Sequence, residues 1–307
     1  MMQARVWPAV LAAATVGVQV GAATVASRAV VAEVGPASLA MLRYAIGAAC
    51  LLPFLWAGPR VRFQGWDLAA VAALGIGQFG ILVFLLNCGL LYVSSARAVL
   101  LFATFPLMTL LLSALLGRER LTLAKTAGVV VSFSGVALAL LDKLAINQDQ
   151  PGAGEWLGVA AVLGAALTGA VCSVLYRPYL QKYPTLPVST LAMVASVFFL
   201  VFLALPEGAL QSVPSLGLSA WAAIAFVGLS SGGAFFCWLW ALGRLPPTQV
   251  TVFLSLGPVT AALLGSLFLD ETLSWLTLAG LAAVVAGLVI AFARRGDSQS
   301  QRRTRPL

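Results

Sequence analysis

The chain has 307 residues, of which 61% are hydrophobic and 9% charged, with a formal net charge of +8 and no histidine. A soluble domain carries about 25% charged residues and about 45–50% apolar ones. This composition therefore excludes an ordinary soluble enzyme and a disordered chain, and its positive charges, scattered through short loops and a tail, do not form the patch a nucleic-acid binder needs.

A bilayer crossing takes about 20 mainly apolar residues. Breaks at charges, prolines and polar clusters predict ten such spans in chain order: 7–31, 36–57, 68–92, 96–116, 122–141, 156–176, 188–205, 217–242, 247–269 and 274–293. The first is too long, and too closely followed by others, to be a cleavable signal. With the N-terminus in the cytoplasm, 14 of the 18 Lys and Arg residues fall on the inner side, from Arg5 through Arg118, Lys125 and Lys182 to the tail at Arg305. Asp142, Asp149, Glu155, Glu207, Asp270 and Glu271 fall outside. The positive-inside rule then places both termini in the cytoplasm. Trp7, Trp56, Trp66, Trp156, Trp221 and Trp275 stand at span ends and read as interfacial anchors.

A shift of 152 residues superposes the first five spans on the last five without a gap. Gly17 falls on Gly169, Met41 on Met193, Gly80 on Gly232, Phe84 on Phe236 and Pro106 on Pro258. Glu119 falls on Glu271, Gly128 on Gly280 and Gly135 on Gly287. Five is odd, so the second copy crosses the bilayer in the opposite sense, which is the inverted-repeat plan of secondary transporters. The expected organisation is a first repeat at 1–141, a periplasmic linker at 142–155, a second repeat at 156–293 and a basic cytoplasmic tail at 294–307.

Several chemistries are excluded. The missing histidine removes Ser-His-Asp and Cys-His catalysis and His-ligated metal sites. Cys50, Cys88, Cys172 and Cys237 lie singly in apolar runs and read as small buried side chains. Gly75-Ile76-Gly77-Gln78-Phe79-Gly80 spells a dinucleotide fingerprint, and Gly228-Leu229-Ser230-Ser231-Gly232 a nucleophile elbow. The fingerprint needs a strand before it and the elbow a histidine to complete its triad, and both lie inside apolar spans, where small residues serve helix packing. No cofactor, metal or catalytic set is expected.

Pro106 and Pro258 fall near the centres of spans four and nine, where a proline kinks a helix and frees the carbonyl four residues earlier, at Phe102 and Leu254. Interrupted spans at matching positions of two repeats point to a central site, and a kink that serves packing alone is the competing account. Mid-span polar residues are few: Gln19, Arg43, Gln78, Thr104, Thr168, Ser230 and Ser231. Arg43 is the clear mid-membrane charge, either a substrate contact or a structural hub gripping backbone carbonyls. Hydroxyls commonly bond their own helix. Trp238 is expected either to stack on substrate or to anchor in the interface. Arg28 and Arg97 lie close enough to span ends to reach the interface. Spans five and ten, with glycines seven residues apart, read as packed scaffolding.

Pro106, the run Gly117-Arg118-Glu119-Arg120-Leu121-Thr122 and the glycines at 128 and 135 resemble the end of an EamA-type repeat. A second copy stands at Pro258, Asp270-Glu271-Thr272-Leu273-Ser274 and the glycines at 280 and 287, and the Arg43-Tyr44 pair is similar to the family pattern. The family is the drug/metabolite transporter superfamily, and within it the chain looks most like the YddG-type bacterial amino-acid exporters. The resemblance implies an all-α polytopic membrane protein of ten transmembrane helices in two inverted five-helix repeats. Spans one to four and six to nine would line a central cavity, with five and ten peripheral. It implies a monomeric inner-membrane exporter of small metabolites, most of all amino acids. No carboxylate sits mid-membrane, which weakens proton-coupled export of cationic drugs, and one arginine is thin for a polyanion. Export of hydrophobic drugs or other metabolites is the alternative, with a membrane enzyme or scaffold more distant.

Overall fold

The computed structural model describes residues 7–57, 61–93, 98, 101–118, 122–146, 154–208, 216–268 and 275–293, and all its elements are helical. Glu119, Glu271, Arg97, residues 147–153 of the linker and the tail 294–307 lie outside the described residues. Among the described residues six helices are long and apolar enough to cross a membrane: Trp7–Val34, Pro36–Trp56, Trp66–Tyr92, Glu155–Lys182, Thr185–Ala204 and Leu218–Leu242.

In chain order the helices are α1 (Trp7–Val34), α2 (Pro36–Ala57), α3 (Trp66–Gly75), a π-helical segment (Ile76–Ile81), α4 (Leu82–Tyr92), α5 (Phe105–Leu115) and α6 (Leu123–Ile146). Then follow α7 (Glu155–Lys182), α8 (Thr185–Ala204), α9 (Leu218–Leu242), α10 (Pro247–Val252), a 3-10 turn (Phe253–Ser255), α11 (Leu256–Phe268) and α12 (Trp275–Ala293). The packings come in pairs: α1 lies against α9 and α4 against α7, α1 against α11 and α7 against α5. Helices α2 and α8 pack on each other, as do α6 and α12.

Small residues set the closest of these approaches. A Cβ on Gly135 would stand 2.7 Å from the Gly280 carbonyl oxygen, and one on Gly287 would stand 2.6 Å from that of Gly128. The two glycine stripes therefore meet face to face and join α6 to α12, with a weak bond from Ser132 Oγ to the Val284 carbonyl, 3.4 Å, beside them. Gly75, the first glycine of the dinucleotide look-alike, touches α8 backbone: a Cβ there would lie 2.4 Å from the Ala192 oxygen. That motif serves helix packing, as expected.

Predicted boundaries move in several places, and α6 runs to Ile146 rather than 141. The structure breaks the span predicted at 96–116 at Ala103–Thr104, and Pro106 sits in the first turn of α5 rather than inside a helix. Span nine divides into α10, the 3-10 turn and α11, with Pro258 in the first turn of α11. A proline is compatible with a first turn because the N–H it lacks has no helical partner there. Helix α7 runs past its predicted stop at 176, through Arg177 and Pro178, to Lys182. The carbonyl that Pro178 frees is that of Val174, and Arg118 Nη1 donates to it at 2.6 Å. Arg118 reaches it because Gly117, at φ +64°, closes α5 with Gly117 N donating to Ala114 O and Arg118 N to Ser113 O.

At the other face Glu207 caps α2. Its carboxylate accepts from Ala37 N at 2.9 and 3.0 Å, from Ser38 N at 2.9 Å and from Ser38 Oγ at 2.9 Å. Gly35 permits this twice over, by its φ of +91° and because a Cβ there would lie 2.5 Å from Glu207 Oε2. The carboxylate satisfies otherwise orphaned amides and meets the positive helix end. Glu207→Ala is expected to cost about 1–2 kcal/mol, read as a lower thermal midpoint in detergent, with Glu207→Gln recovering part of it.

Candidate functional site

Helices α1, α2 and α9 bring the predicted polar residues of three distant spans together. Arg43 on α2 is 7% exposed, and its Nε donates to Ser231 Oγ on α9 at 2.7 Å. Gln19 Nε2 on α1 donates to Ser230 Oγ at 3.1 Å and to Ser231 Oγ at 3.4 Å. Ser231 in turn donates to the Val227 carbonyl within its own helix, and Ser230 does so at 3.2 Å. The elbow-like sequence around them is thus an ordinary helical turn that supplies two hydroxyls. The guanidinium of Arg43 lies 5.7 Å from the Tyr44 ring centroid and 5.5 Å from that of Phe235, a range in which ring faces attract a cation. Among the described residues no carboxylate lies within ion-pair distance of it, and its bonded partner is a hydroxyl rather than the backbone carbonyls a structural hub would grip.

Beside this network runs a narrow cavity. Arg43, Gln78, Leu82, Phe102, Phe105, Phe235, Trp238 and Leu254 are among its lining residues. It has about 50 Å³ of room for water centres, enough for a few waters and too little for a substrate, so binding requires the lining elements to part. Gln78 is buried on the π-helical segment, where its Oε1 accepts weakly from Ser173 Oγ at 3.5 Å. Such segments widen a helix by one residue per turn and are frequent at functional sites. Phe102 and Leu254, the residues whose carbonyls the two prolines were expected to free, both line the cavity. Pro258 lines its extension toward Val20, Gly21 and Ala98.

Trp238 is 2% exposed, and its ring centroid is 6.1 Å from that of Phe105. It is therefore an interior residue and not an interfacial anchor, whereas Trp7, Trp56, Trp66, Trp156, Trp221 and Trp275 are all exposed at helix ends. Its Nε1 is buried without a partner, as are Gln19 Oε1 and the Tyr44 hydroxyl. Thr104 and Thr168 turn out local: Thr104 Oγ1 donates to Leu101 O at 2.7 Å and Thr168 Oγ1 to Gly164 O at 2.8 Å. Neither lines the cavity. Arg28, expected to reach the interface, instead donates through Nη1 to the Leu90 and Val93 carbonyls at the end of α4, where a helix end favours a cation.

One expectation about the lining needs correction. The resemblance puts spans six and seven around the cavity, but α7 and α8 contribute none of its lining residues here. The reason is steric: the Phe105 ring lies over Gly169, 2.7 Å from where a Cβ would stand, and screens α7. The aromatic lining of Phe102, Phe105 and Phe235 and the partner Ser173 escaped the sequence reading. A phenylalanine in an apolar span has no contrast with its neighbours, and Ser173 looked like any hydroxyl able to bond its own helix. The Tyr44 contact with Arg43 was signalled by their adjacency.

No group of three or more metal-ligating side chains occurs among the described residues. An apolar helical bundle with a buried cation beside a central cavity is the make-up of a membrane transporter. The EamA-like transporter family matches residues 7–141 and again residues 156–293, and the chain belongs to that family. It is 31% identical over 266 residues to an uncharacterized transporter of Archaeoglobus fulgidus, covering 85% of this chain and 90% of that one. It is 30% identical over 259 residues to a probable terminal-alkyne amino-acid exporter of Streptantibioticus cattleyicolor, covering 83% of this chain and 84% of that one. One solved crystal structure is similar with a TM-score of 0.78 and 26% identity, over 94% of this chain and 98% of its own. The protein is a multi-pass membrane transporter of the EamA type.

Proposed function

We propose that this transporter exports zwitterionic metabolites, amino acids foremost, across a bacterial inner membrane by alternating access, working as a monomer. The observation that carries the reading is Arg43: a buried guanidinium facing a cavity with no carboxylate partner among the described residues. A substrate carboxylate is the bidentate ligand such a fork fits. The rings of Phe102, Phe105 and Phe235 suit an apolar side chain. The name of the Streptantibioticus relative supports the same substrate class.

The architecture we propose is ten membrane helices in two inverted repeats, with both termini cytoplasmic. Support comes from the constant 152-residue offset, from the two family matches, and from helix packings that fall into pairs related by that offset. A C-terminal reporter active only in the periplasm should give no signal; a strong signal would reverse the orientation. Proteoliposomes loaded with labelled amino acids, with and without a pH gradient, test the substrate class. Efflux of neutral amino acids competed by an unlabelled analogue is expected, and the absence of efflux across a broad panel would remove the class. The predominantly apolar lining favours export of hydrophobic drugs as the second reading, and this route would be indifferent to the loss of Arg43.

A further inference from the structure

We infer that the passage to the cytoplasm runs between α5, α7, α9 and α10 and that Phe105, Tyr176 and Trp238 close it in this structure. The inference rests on the inverted-repeat arrangement and orientation proposed above. The central cavity extends toward one membrane face along Val20, Gly21, Thr24, Leu86, Ala98 and Ala103. Adding 152 to the last five gives Ser173, Tyr176, Trp238, Val250 and Ser255, and Phe102 and Leu254 exchange places at the midpoint. The mirror set therefore points toward the opposite face. There its members are packed shut, each no more than 3% exposed.

Two features make this closure a state rather than a fixed core. The Tyr176 hydroxyl is fully buried with no hydrogen-bond partner, whereas its mirror mate Thr24 bonds the Val20 carbonyl at 2.8 Å. A buried hydroxyl left unpaired is costly, and a wet passage in the opposite state gives it a partner. In an inverted-repeat carrier the halves exchange conformations, so Tyr176 would then line an opening as Thr24 does here. The second feature is a set of ties on this side whose residues are not repeated at the mirror positions; the opposite face is tied instead by Glu207 and Arg28. Arg118 holds the Val174 carbonyl, joining α5 to α7. Asp67 Oδ2 accepts from Lys182 Nζ and from the Tyr183 hydroxyl, each at 2.6 Å, joining α3 to α7. At the mirror positions of Asp67, Lys182 and Tyr183 stand Ser219, Val30 and Val31, which carry no charge. Lys182 is half exposed, so the Asp67 tie is weak enough to open in each cycle.

Cys172 is a built-in reporter. It is the mirror of the cleft residue Val20, and its thiol is packed over Gly77 and 5% exposed. The experiment adds a membrane-impermeant methanethiosulfonate to inside-out and right-side-out vesicles and reads Cys172 by peptide mass spectrometry. It uses the wild-type protein and a variant with Cys50, Cys88 and Cys237 replaced by alanine. Modification from the cytoplasmic face alone is expected, with the rate rising about two- to fivefold in Asp67→Asn, the effect of losing an exposed ion pair. An inert Cys172 in protein that transports, or modification from the outer face alone, would overturn the passage. The labelling requires no knowledge of the substrate. Accessible Cys172 with no amino-acid efflux would therefore leave the passage standing and remove the substrate class.

Discussion

Arg43→Ala is expected to reduce transport of carboxylate-bearing substrates by about 100-fold or more while leaving a folded, membrane-inserted protein. Truncating one partner of a desolvated charge pair costs about 2–5 kcal/mol, and each 1.4 kcal/mol is about tenfold in affinity. Folding should survive because Arg43 has one hydrogen bond to Ser231, and Ser231 keeps its bond to the Val227 carbonyl. The arginine itself is a burden on the fold: even the lenient insertion scale charges about 2.5–3.5 kcal/mol for it at the membrane centre. Arg43→Lys keeps the charge but loses the planar fork and the ring contacts with Tyr44 and Phe235, so it should recover only a small part of the activity. Ser231→Ala removes the hydroxyl that fixes the guanidinium and should weaken apparent affinity more than maximal rate. Efflux from proteoliposomes, with size-exclusion profiles for folding, separates the outcomes. Wild-type amino-acid efflux by Arg43→Ala would exclude the carboxylate contact.

The hydrophobic pattern made the helices legible because a membrane span announces itself by length and polarity alone. The predicted spans and α1, α2 and α9 agree within a few residues. The two central breaks were also legible, since Pro106 and Pro258 mark them, although the prolines begin helices rather than bend them. What the sequence hid depends on partners far along the chain. Nothing near Glu207 says that it caps α2, some 170 residues away. Arg28 looked able to reach lipid headgroups until the end of α4 appeared beside it. Trp238 could be read as an anchor or as a substrate contact, because a tryptophan near a span end has the same sequence signature whether it faces lipid or cavity. The polar residues of the site were found one by one from their cost in lipid. Their grouping was not, because which hydroxyl meets Arg43 depends on the rotation of α9 against α2. The aromatic lining was invisible for the opposite reason, since nothing distinguishes it from other apolar side chains.

Gly17→Ala should be the most damaging single-methyl change among the tested glycines, although its repeat mate Gly169 looks equivalent in sequence. A Cβ at Gly17 would stand 2.0 Å from the Phe253 carbonyl oxygen and 3.1 Å from Leu256 Cβ. That oxygen belongs to the 3-10 turn beside the cavity, so backbone must move for the methyl to fit, and α1 must separate from α11 over the stretch where Gly21 touches the Gly257 carbonyl. Overpacking of this kind costs about 1–3 kcal/mol, and the displacement falls on elements that line the site. At Gly169 the obstacles are the Leu82 Cδ1 methyl and the Phe105 ring, at 2.5 and 2.7 Å, which are ends of side chains that can rotate away. Gly169→Ala should therefore cost less stability than Gly17→Ala. It should disturb transport through Phe105, which sits at the inner end of the cavity. Gly233, with no neighbour within 4 Å of its added Cβ, is the control. Its alanine variant should be neutral or more stable by at most about 1 kcal/mol, the helix-propensity gain. Thermal midpoints in detergent, measured beside proteoliposome efflux, should rank Gly233→Ala above Gly169→Ala and both above Gly17→Ala. Equal losses at Gly17 and Gly169 would mean that α1 and α7 meet their neighbours in the same way, and the difference between the two halves of the bundle would fall with that result.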